Sequence, residues 1–427
     1  MKLLVVGGGS GGHVTPAVAV IREVLKKNPK TKVEFWTDKK YYKNVVKITT
    51  ELEVSWGEEE TAEEETPHIP GTTINKSAPY IRVRKIHAGK FHRYHNMSAE
   101  TYLGMGGKAL RDVTFGNIGG FFGFTSGIIQ AFFRMLKKSN RPDIIFLKGG
   151  YVGLPVGIIA KMFRIPYVIH ESDATMGLAN RTLAKKATVI CTGTPFEEDE
   201  AHAKYVWTGI PVAKEFKEVS EARKKSLKKE LGFDEDKPLV IVTGGSQGAA
   251  NLNRAVSETI TELLKFTSVG LVAGRKHYEE VIELKKYEEW DKAKLQSNFR
   301  LWEFSTEMDV LLGAADIVVT RAGATTIAEL SALGKCIILV PYEKLPGDHQ
   351  TKNAVRLSKI GAAEQINDHA VFEKPEKLLE IIRTLARSPK KRKEMSNKLH
   401  SEARSDAAKR LAEILIDVSE GKDITKK

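Results

Sequence analysis

The run Leu3-Leu4-Val5-Val6-Gly7-Gly8-Gly9-Ser10-Gly11-Gly12-His13 decides the fold. Four apolar strand formers lead straight into a turn of glycine and serine, and a helix pattern follows. Glycines at such a junction let backbone N–H groups approach an anion, and the helix dipole favours negative charge there. A second junction of the same kind lies about half a chain on, where Leu239–Val242 leads to Gly244-Gly245-Ser246-Gln247-Gly248. Two such junctions, each heading its own half, predict an α/β chain of two doubly wound Rossmann-like domains facing a cleft, with phosphate bound on at least one side.

The rest of the chain agrees. Short β-rich runs at Val33–Trp36, Tyr80–Ile86, Ile144–Leu147, Tyr167–Ile169 and Val189–Cys191 predict a first parallel sheet. Val269–Ala273, Phe299–Trp302, Ile317–Thr320 and Cys336–Val340 predict a second. At 427 residues the chain exceeds one ordinary core. The linker is expected near Gly209–Ser220, dividing the chain into domains of 1–213 and 214–427, with a last helix at about 391–418 that either domain can claim. Two cysteines, Cys191 and Cys336, both in apolar runs, exclude a disulfide framework and fit a reducing compartment. A strand begins at Leu3, so no signal peptide is expected before it. The net charge of +13 suits a phosphorylated or anionic partner, but no nucleic-acid motif accompanies it, and no nucleic-acid partner is expected.

Two stretches interrupt the pattern. Residues 51–66 carry two glutamate triplets and read as a solvated acidic insertion. Val113–Phe133 has no formal charge and reads as an amphipathic helix after a glycine-rich loop, with Phe121, Phe124, Ile128, Phe132 and Leu136 on its apolar side. That side either packs on the sheet or meets a membrane surface, where flanking Lys108, Arg111, Lys137 and Lys138 would face anionic headgroups.

The chemistry gathers at the predicted strand ends. His13 follows the first glycine turn at a helix start, where the dipole disfavours imidazolium, and a neutral histidine suits a general base. Lys148-Gly149-Gly150-Tyr151 forms a further anion nest after Ile144–Leu147. His170-Glu171-Ser172-Asp173 places polar groups after the next strand, and Glu171 or Asp173 is the alternative base. In the second half Glu329, within Arg321-Ala322-Gly323-Ala324-Thr325-Thr326-Ile327-Ala328-Glu329, suits both hydroxyls of a ribose. Asp348, His349, Gln350 and Asn353 suit sugar hydroxyls. No Asp-x-Asp metal motif is present, since Asp234-Glu235-Asp236 falls in a linker before a strand, so no required metal is expected. The rival class is a dinucleotide-dependent oxidoreductase using Gly7, Gly9, Gly12 and Asp38; it leaves the second glycine loop unexplained.

These motifs, in this order, resemble the MurG family of membrane-associated N-acetylglucosaminyltransferases over nearly the whole chain. The resemblance implies two GT-B domains and inverting transfer of N-acetylglucosamine. The donor would be UDP-N-acetylglucosamine, and the acceptor the C4 hydroxyl of undecaprenyl-pyrophosphoryl-N-acetylmuramyl-pentapeptide, on the cytoplasmic membrane face. It puts Gly245, Ser246, Gln247 and Gly248 on the nucleotide sugar, and Phe304 with Ser305 by the uracil. Arg321, Gly323, Thr326 and Glu329 then line the donor's ribose side, and Gln350 with Asn353 its sugar. The acceptor's pyrophosphate falls to Ser10, Gly11, Gly12, Lys148, Gly149, Gly150 and Tyr151. Two motifs depart from the family. Where an arginine after Asn-Pro-Val usually reaches the UDP diphosphate, this chain reads Ile210-Pro211-Val212-Ala213-Lys214, leaving Lys214 as the substitute. The usual His-Glu-Gln-Asn reads His170-Glu171-Ser172-Asp173. Those departures keep a catalytically silent lipid-linked-sugar scaffold, or another UDP-sugar or lipid acceptor, as alternatives.

Overall fold

The computed structural model describes residues 1–9, 11–63, 81–89, 107–173, 176–195, 204–245, 248–283, 298–343, 348–422 and 424. The chain forms two compact units, Met1–Pro211 with Asp406–Lys427, and Val212–Ser405.

The first unit is built on a seven-stranded sheet. Its strands are β1 (Lys2–Val6), β2 (Lys32–Thr37), β3 (Ile81–Lys85), β4 (Ile144–Leu147), β5 (Tyr167–Glu171), β6 (Val189–Thr192) and β7 (Tyr205–Trp207). They lie in the order β3-β2-β1-β4-β5-β6-β7, all parallel. The uninterrupted apolar runs of β1 and β4 are those of strands covered on both faces. Leu3, Val5, Phe35 and Phe146 meet one helix layer, formed by Gly11–Lys27 and Ala407–Ser419. Leu4, Val6, Trp36 and Leu147 meet the other, formed by Gly107–Leu136 and Gly153–Met162.

The second unit repeats the plan with β8 (Leu239–Thr243), β9 (Ser268–Val272), β10 (Phe299–Trp302), β11 (Ile317–Thr320), β12 (Cys336–Leu339) and β13 (Ala363–Gln365). Their order is β10-β9-β8-β11-β12-β13, again parallel. In each sheet the order reverses beside the first strand, between β1 and β4 and between β8 and β11. Open α/β sheets bind ligands at the carboxyl ends of such strand pairs. The glycine-rich junctions follow β1, β4 and β8, and the Arg321–Glu329 segment follows β11, so sequence has placed its polar residues at both reversals.

The expected helix at 391–418 is two helices, Pro389–Ser401 and Ala407–Ser419. On one continuous helix Leu399 and Leu411 would sit about 120° apart, because twelve residues are not a whole number of turns. The break resolves that mismatch. Met395 and Leu399 stay in second-unit cores, while Leu411, Leu415 and Val418 bury against the first sheet.

Helix Tyr42–Glu63 runs on through much of the acidic stretch, and residues 64–66 lie outside the described residues. The apolar helix begins at Gly107, and its phase differs from the expected one. Its buried side is Gly120, Gly127, Ala131 and Met135. There His87's carbonyl oxygen lies 2.1 Å from where a Cβ on Gly127 would sit, an approach that only glycine allows. Ile128 and Phe132 touch the core, and Phe132 stacks on Phe163 with centroids 5.7 Å apart. Ile118, Phe121, Phe122, Ile129, Phe133 and Leu136 point outward, Phe122 at 68% and Phe133 at 66% exposure.

Candidate active site

At the first reversal the turn after β1 hands His13 to the start of helix Gly11–Lys27. Its ring Nδ1 lies 2.6 Å from the Gly8 carbonyl oxygen. A carbonyl only accepts, so Nδ1 carries the proton and the basic lone pair sits on Nε2. The imidazole is held below its ordinary pKa, chiefly by burial and next by the Lys148 ammonium. Both causes act in the same direction as the helix-start effect expected from sequence. The Gly149-Gly150 turn lies against this ring: both glycines have positive φ, +102° and +78°, and a Cβ on Gly150 would stand 3.0 Å from the imidazole. Glycine alone adopts two such positive φ values in succession readily, and it lets the backbone lie this close to the ring.

Beneath it, Lys148 donates from Nζ to His170 Nδ1 at 2.9 Å and to Ser172 Oγ at 2.5 Å. His170 Nε2 is 2.9 Å from the Gly209 carbonyl, to which it donates, so its Nδ1 is an acceptor. Burial pushes Lys148 down to about 8, against the pull of Glu171 and Asp173. Glu171 is a brace: Oε1 accepts from the Asp173 N–H, and Oε2 from the Gly177 N–H and Asn180 Nδ2. Those bonds tie Asp173, Gly177 and Asn180 to one carboxylate and use the lone pairs a base would need. Tyr151 donates its hydroxyl to Asp38 Oδ2 at 2.7 Å, and burial raises the phenol's pKa. Asp38 is thereby engaged and buried, unlike the open carboxylate that a dinucleotide ribose requires.

In the second unit Gly245 and Gly248 both have positive φ, and the Gly245 N–H donates to Thr243 Oγ1. Helix Ala250–Leu263 starts directly after this turn, giving an N-terminus for a diphosphate. The strand order sets the loops after β8, β9 and β10 side by side. Phe304, after β10, is 45% exposed, and the Arg275 guanidinium from the loop after β9 lies 4.4 Å over its ring. Ser305 Oγ accepts from the Glu307 N–H.

At the second reversal Gly323 precedes helix Ala324–Leu333, which carries Thr326 and Glu329. Glu329 is partly buried, has no hydrogen-bond partner among the described residues, and is pushed up to about 7 by burial. A desolvated carboxylate with free lone pairs is a receiver for hydroxyl donors.

Other expected donor contacts are structural here. Arg321 pairs with Asp368 at 2.6 Å and donates to the Val340 carbonyl. Gln350 Oε1 accepts from the Tyr342 N–H, and buried Asn353 donates to the Ala322 carbonyl. Arg321 and Asn353 tie the segments after β11 and β12 together, and Gln350 holds the start of its helix to Tyr342. Lys214 is exposed. Ser10, Ser246 and Gln247 lie outside the described residues, while Gly11 and Gly12 open their helix. Sequence reading missed Arg275; its place one loop from the glycine turn was the signal available.

Residues 239–411 match the glycosyltransferase family 28 C-terminal domain, and residues 80–192 match the family 28 N-terminal domain. Over 427 residues the chain is 33% identical to the UDP-N-acetylglucosamine–N-acetylmuramyl-(pentapeptide) pyrophosphoryl-undecaprenol N-acetylglucosamine transferase of Bacillus pumilus, covering 98% of this chain and 100% of that one. The enzyme of the same name from Bacillus subtilis is 32% identical over 423 residues, covering 97% and 99%. Among solved structures, MurG of Acinetobacter baumannii superposes with a TM-score of 0.65 at 22% identity, covering 97% of this chain and 99% of that one.

Proposed function

Because the chain belongs to glycosyltransferase family 28, and within it to the MurG-type N-acetylglucosaminyltransferases, we propose that it moves N-acetylglucosamine from UDP-N-acetylglucosamine to the C4 hydroxyl of undecaprenyl-pyrophosphoryl-N-acetylmuramyl-pentapeptide. One observation carries the mechanism: the Gly8 carbonyl fixes His13 in the tautomer whose Nε2 accepts a proton. His13 takes the proton of the acceptor hydroxyl as the oxygen attacks the anomeric carbon. The bond from that carbon to the UDP oxygen breaks on the opposite side, so the configuration inverts. The start of helix Ala250–Leu263, directly after the glycine turn, stabilises the departing diphosphate. Glu329 receives the ribose hydroxyls, and the Phe304–Arg275 pair flanks the base.

No step needs a metal, and added chelator is expected to leave turnover unchanged. The outward apolar face of helix Gly107–Leu136 supports peripheral attachment to the membrane that carries the lipid acceptor, with Lys137 and Lys138 at its end. No helix among the described residues is long and apolar enough to cross a membrane. The test is transfer of labelled sugar from UDP-N-acetylglucosamine to a lipid-linked muramyl-pentapeptide. Labelled disaccharide supports the assignment, and an active donor site with no acceptor product would favour the scaffold alternative.

A further inference from the structure

Asp368 opens the helix Asp368–Glu373 shortly after β13 and is 6% exposed. Its carboxylate holds partners that come from different strand ends. Oδ2 accepts from Asn251 Nδ2 at 2.7 Å, and Oδ1 faces the Arg321 guanidinium at 2.6 Å. Asn251 lies in the first turn of helix Ala250–Leu263, directly after the glycine turn that follows β8. Arg321 directly follows β11 and leads through Gly323 into the helix that carries Glu329. Arg321 is fixed from the end of β12 as well: it donates to the Val340 carbonyl, and its guanidinium lies 5.3 Å from the centre of the Tyr342 ring. One carboxylate thus joins the segments after β8, β11 and β13, and through Arg321 the segment after β12.

A buried ion pair adds little net stability over apolar side chains of similar volume, because desolvation offsets its attraction. Hydrophobic contacts, such as those of Val371 in the same core, are non-directional and leave a helix free to turn or slide slightly. Bonds to a single buried carboxylate remove that freedom, as a precise site requires. We propose that Asp368 is a positioning residue of the donor site. It sets the spacing between the helix start that meets the diphosphate and the Glu329 helix that meets the ribose. This rests on the donor site assigned above, and Asp368 acts there through Asn251 and Arg321. A ligand that spans both ends feels the spacing, whereas one that uses a single end does not.

The full chain is compared with Asp368→Ala and Asn251→Ala. UDP, uridine and inorganic pyrophosphate are titrated separately by calorimetry, and donor KM, acceptor KM and melting temperature are read on the same proteins. Asp368→Ala is expected to weaken UDP about tenfold and to raise donor KM alike, because the site must then order on binding. Uridine affinity, pyrophosphate affinity and acceptor KM should each stay within about twofold. The melting temperature should fall, since Arg321 loses its counter-charge, but lost stability alone would not separate UDP from uridine. A folded Asp368→Ala that binds UDP like the wild type overturns the proposal, as does one that loses UDP and uridine equally. Should that variant not fold, Asn251→Ala decides. UDP weakened about threefold with uridine unchanged supports the proposal, and any other result overturns it. Wild-type protein that binds no UDP overturns the donor assignment itself.

Discussion

His13 works as a base only while neutral, and burial with the nearby Lys148 ammonium lowers its pKa. As pH falls through that lowered value the base is protonated and turnover is lost. The acid limb of kcat/KM is therefore expected below the ordinary imidazole value of about 6.5. His13→Ala should cost about 10²–10⁴-fold in turnover, remove that limb and leave UDP affinity nearly intact. An unchanged limb would assign it to another group. Glu329 gives the opposite sign: burial raises it to about 7, and ribose hydroxyls favour its ionised form. UDP binding near neutral pH should then release protons, and affinity should weaken as pH falls below about 7. Glu329→Gln should abolish that extra slope relative to wild type, and Glu329→Ala should weaken UDP by about 1.5–3 kcal/mol. Equal slopes in wild type and Glu329→Gln, read by calorimetry, would take the carboxylate out of the site. The places of His13, Lys148 and Glu329 beside strand ends were legible because each sits within a few residues of a glycine turn. The structural roles of Arg321, Asn353 and Tyr151 were not, because their partners Asp368, Ala322 and Asp38 come from distant strand ends that only the folded sheet brings near.

Among the elements, helix Gly107–Leu136 carries apolar residues on two sides, and its glycines hid which side is buried. Glycine registers as neutral in a hydrophobic pattern, yet here it lines the tightest contacts, those of Gly120 with Gly89 and of Gly127 with the His87 backbone. Changing Phe122, Ile129 and Phe133 to serine should release the protein from anionic vesicles while keeping its melting temperature. Phe132→Ser, on the side facing Phe163, should lower the melting temperature instead. Unfolding by the first set in circular dichroism would make that side core and remove the membrane contact. Eleven strands showed in the sequence as apolar runs, whereas β7 and β13 did not. Both are three residues long at sheet edges, where partial exposure erases the apolar signature.

For the whole molecule, the two parallel sheets and the division near Pro211 follow from repeated strand–turn–helix junctions. The return of Asp406–Lys427 to the first unit follows from a change in stripe phase that only packing decides. Deleting residues 406–427 should uncover the Leu3–Val5 side of the first sheet and lower the melting temperature of that unit. An unchanged melt would show that the helix contributes no stability. The central claim is base-assisted, inverting transfer onto a lipid-linked muramyl sugar. It is tested most directly by incubating the full chain with UDP-N-acetylglucosamine and lipid-linked N-acetylmuramyl-pentapeptide, then reading the new linkage by NMR. A β-linkage to the C4 oxygen, formed with one UDP released per sugar transferred, is the expected result. An α-linkage, or donor hydrolysis without a disaccharide, would contradict it.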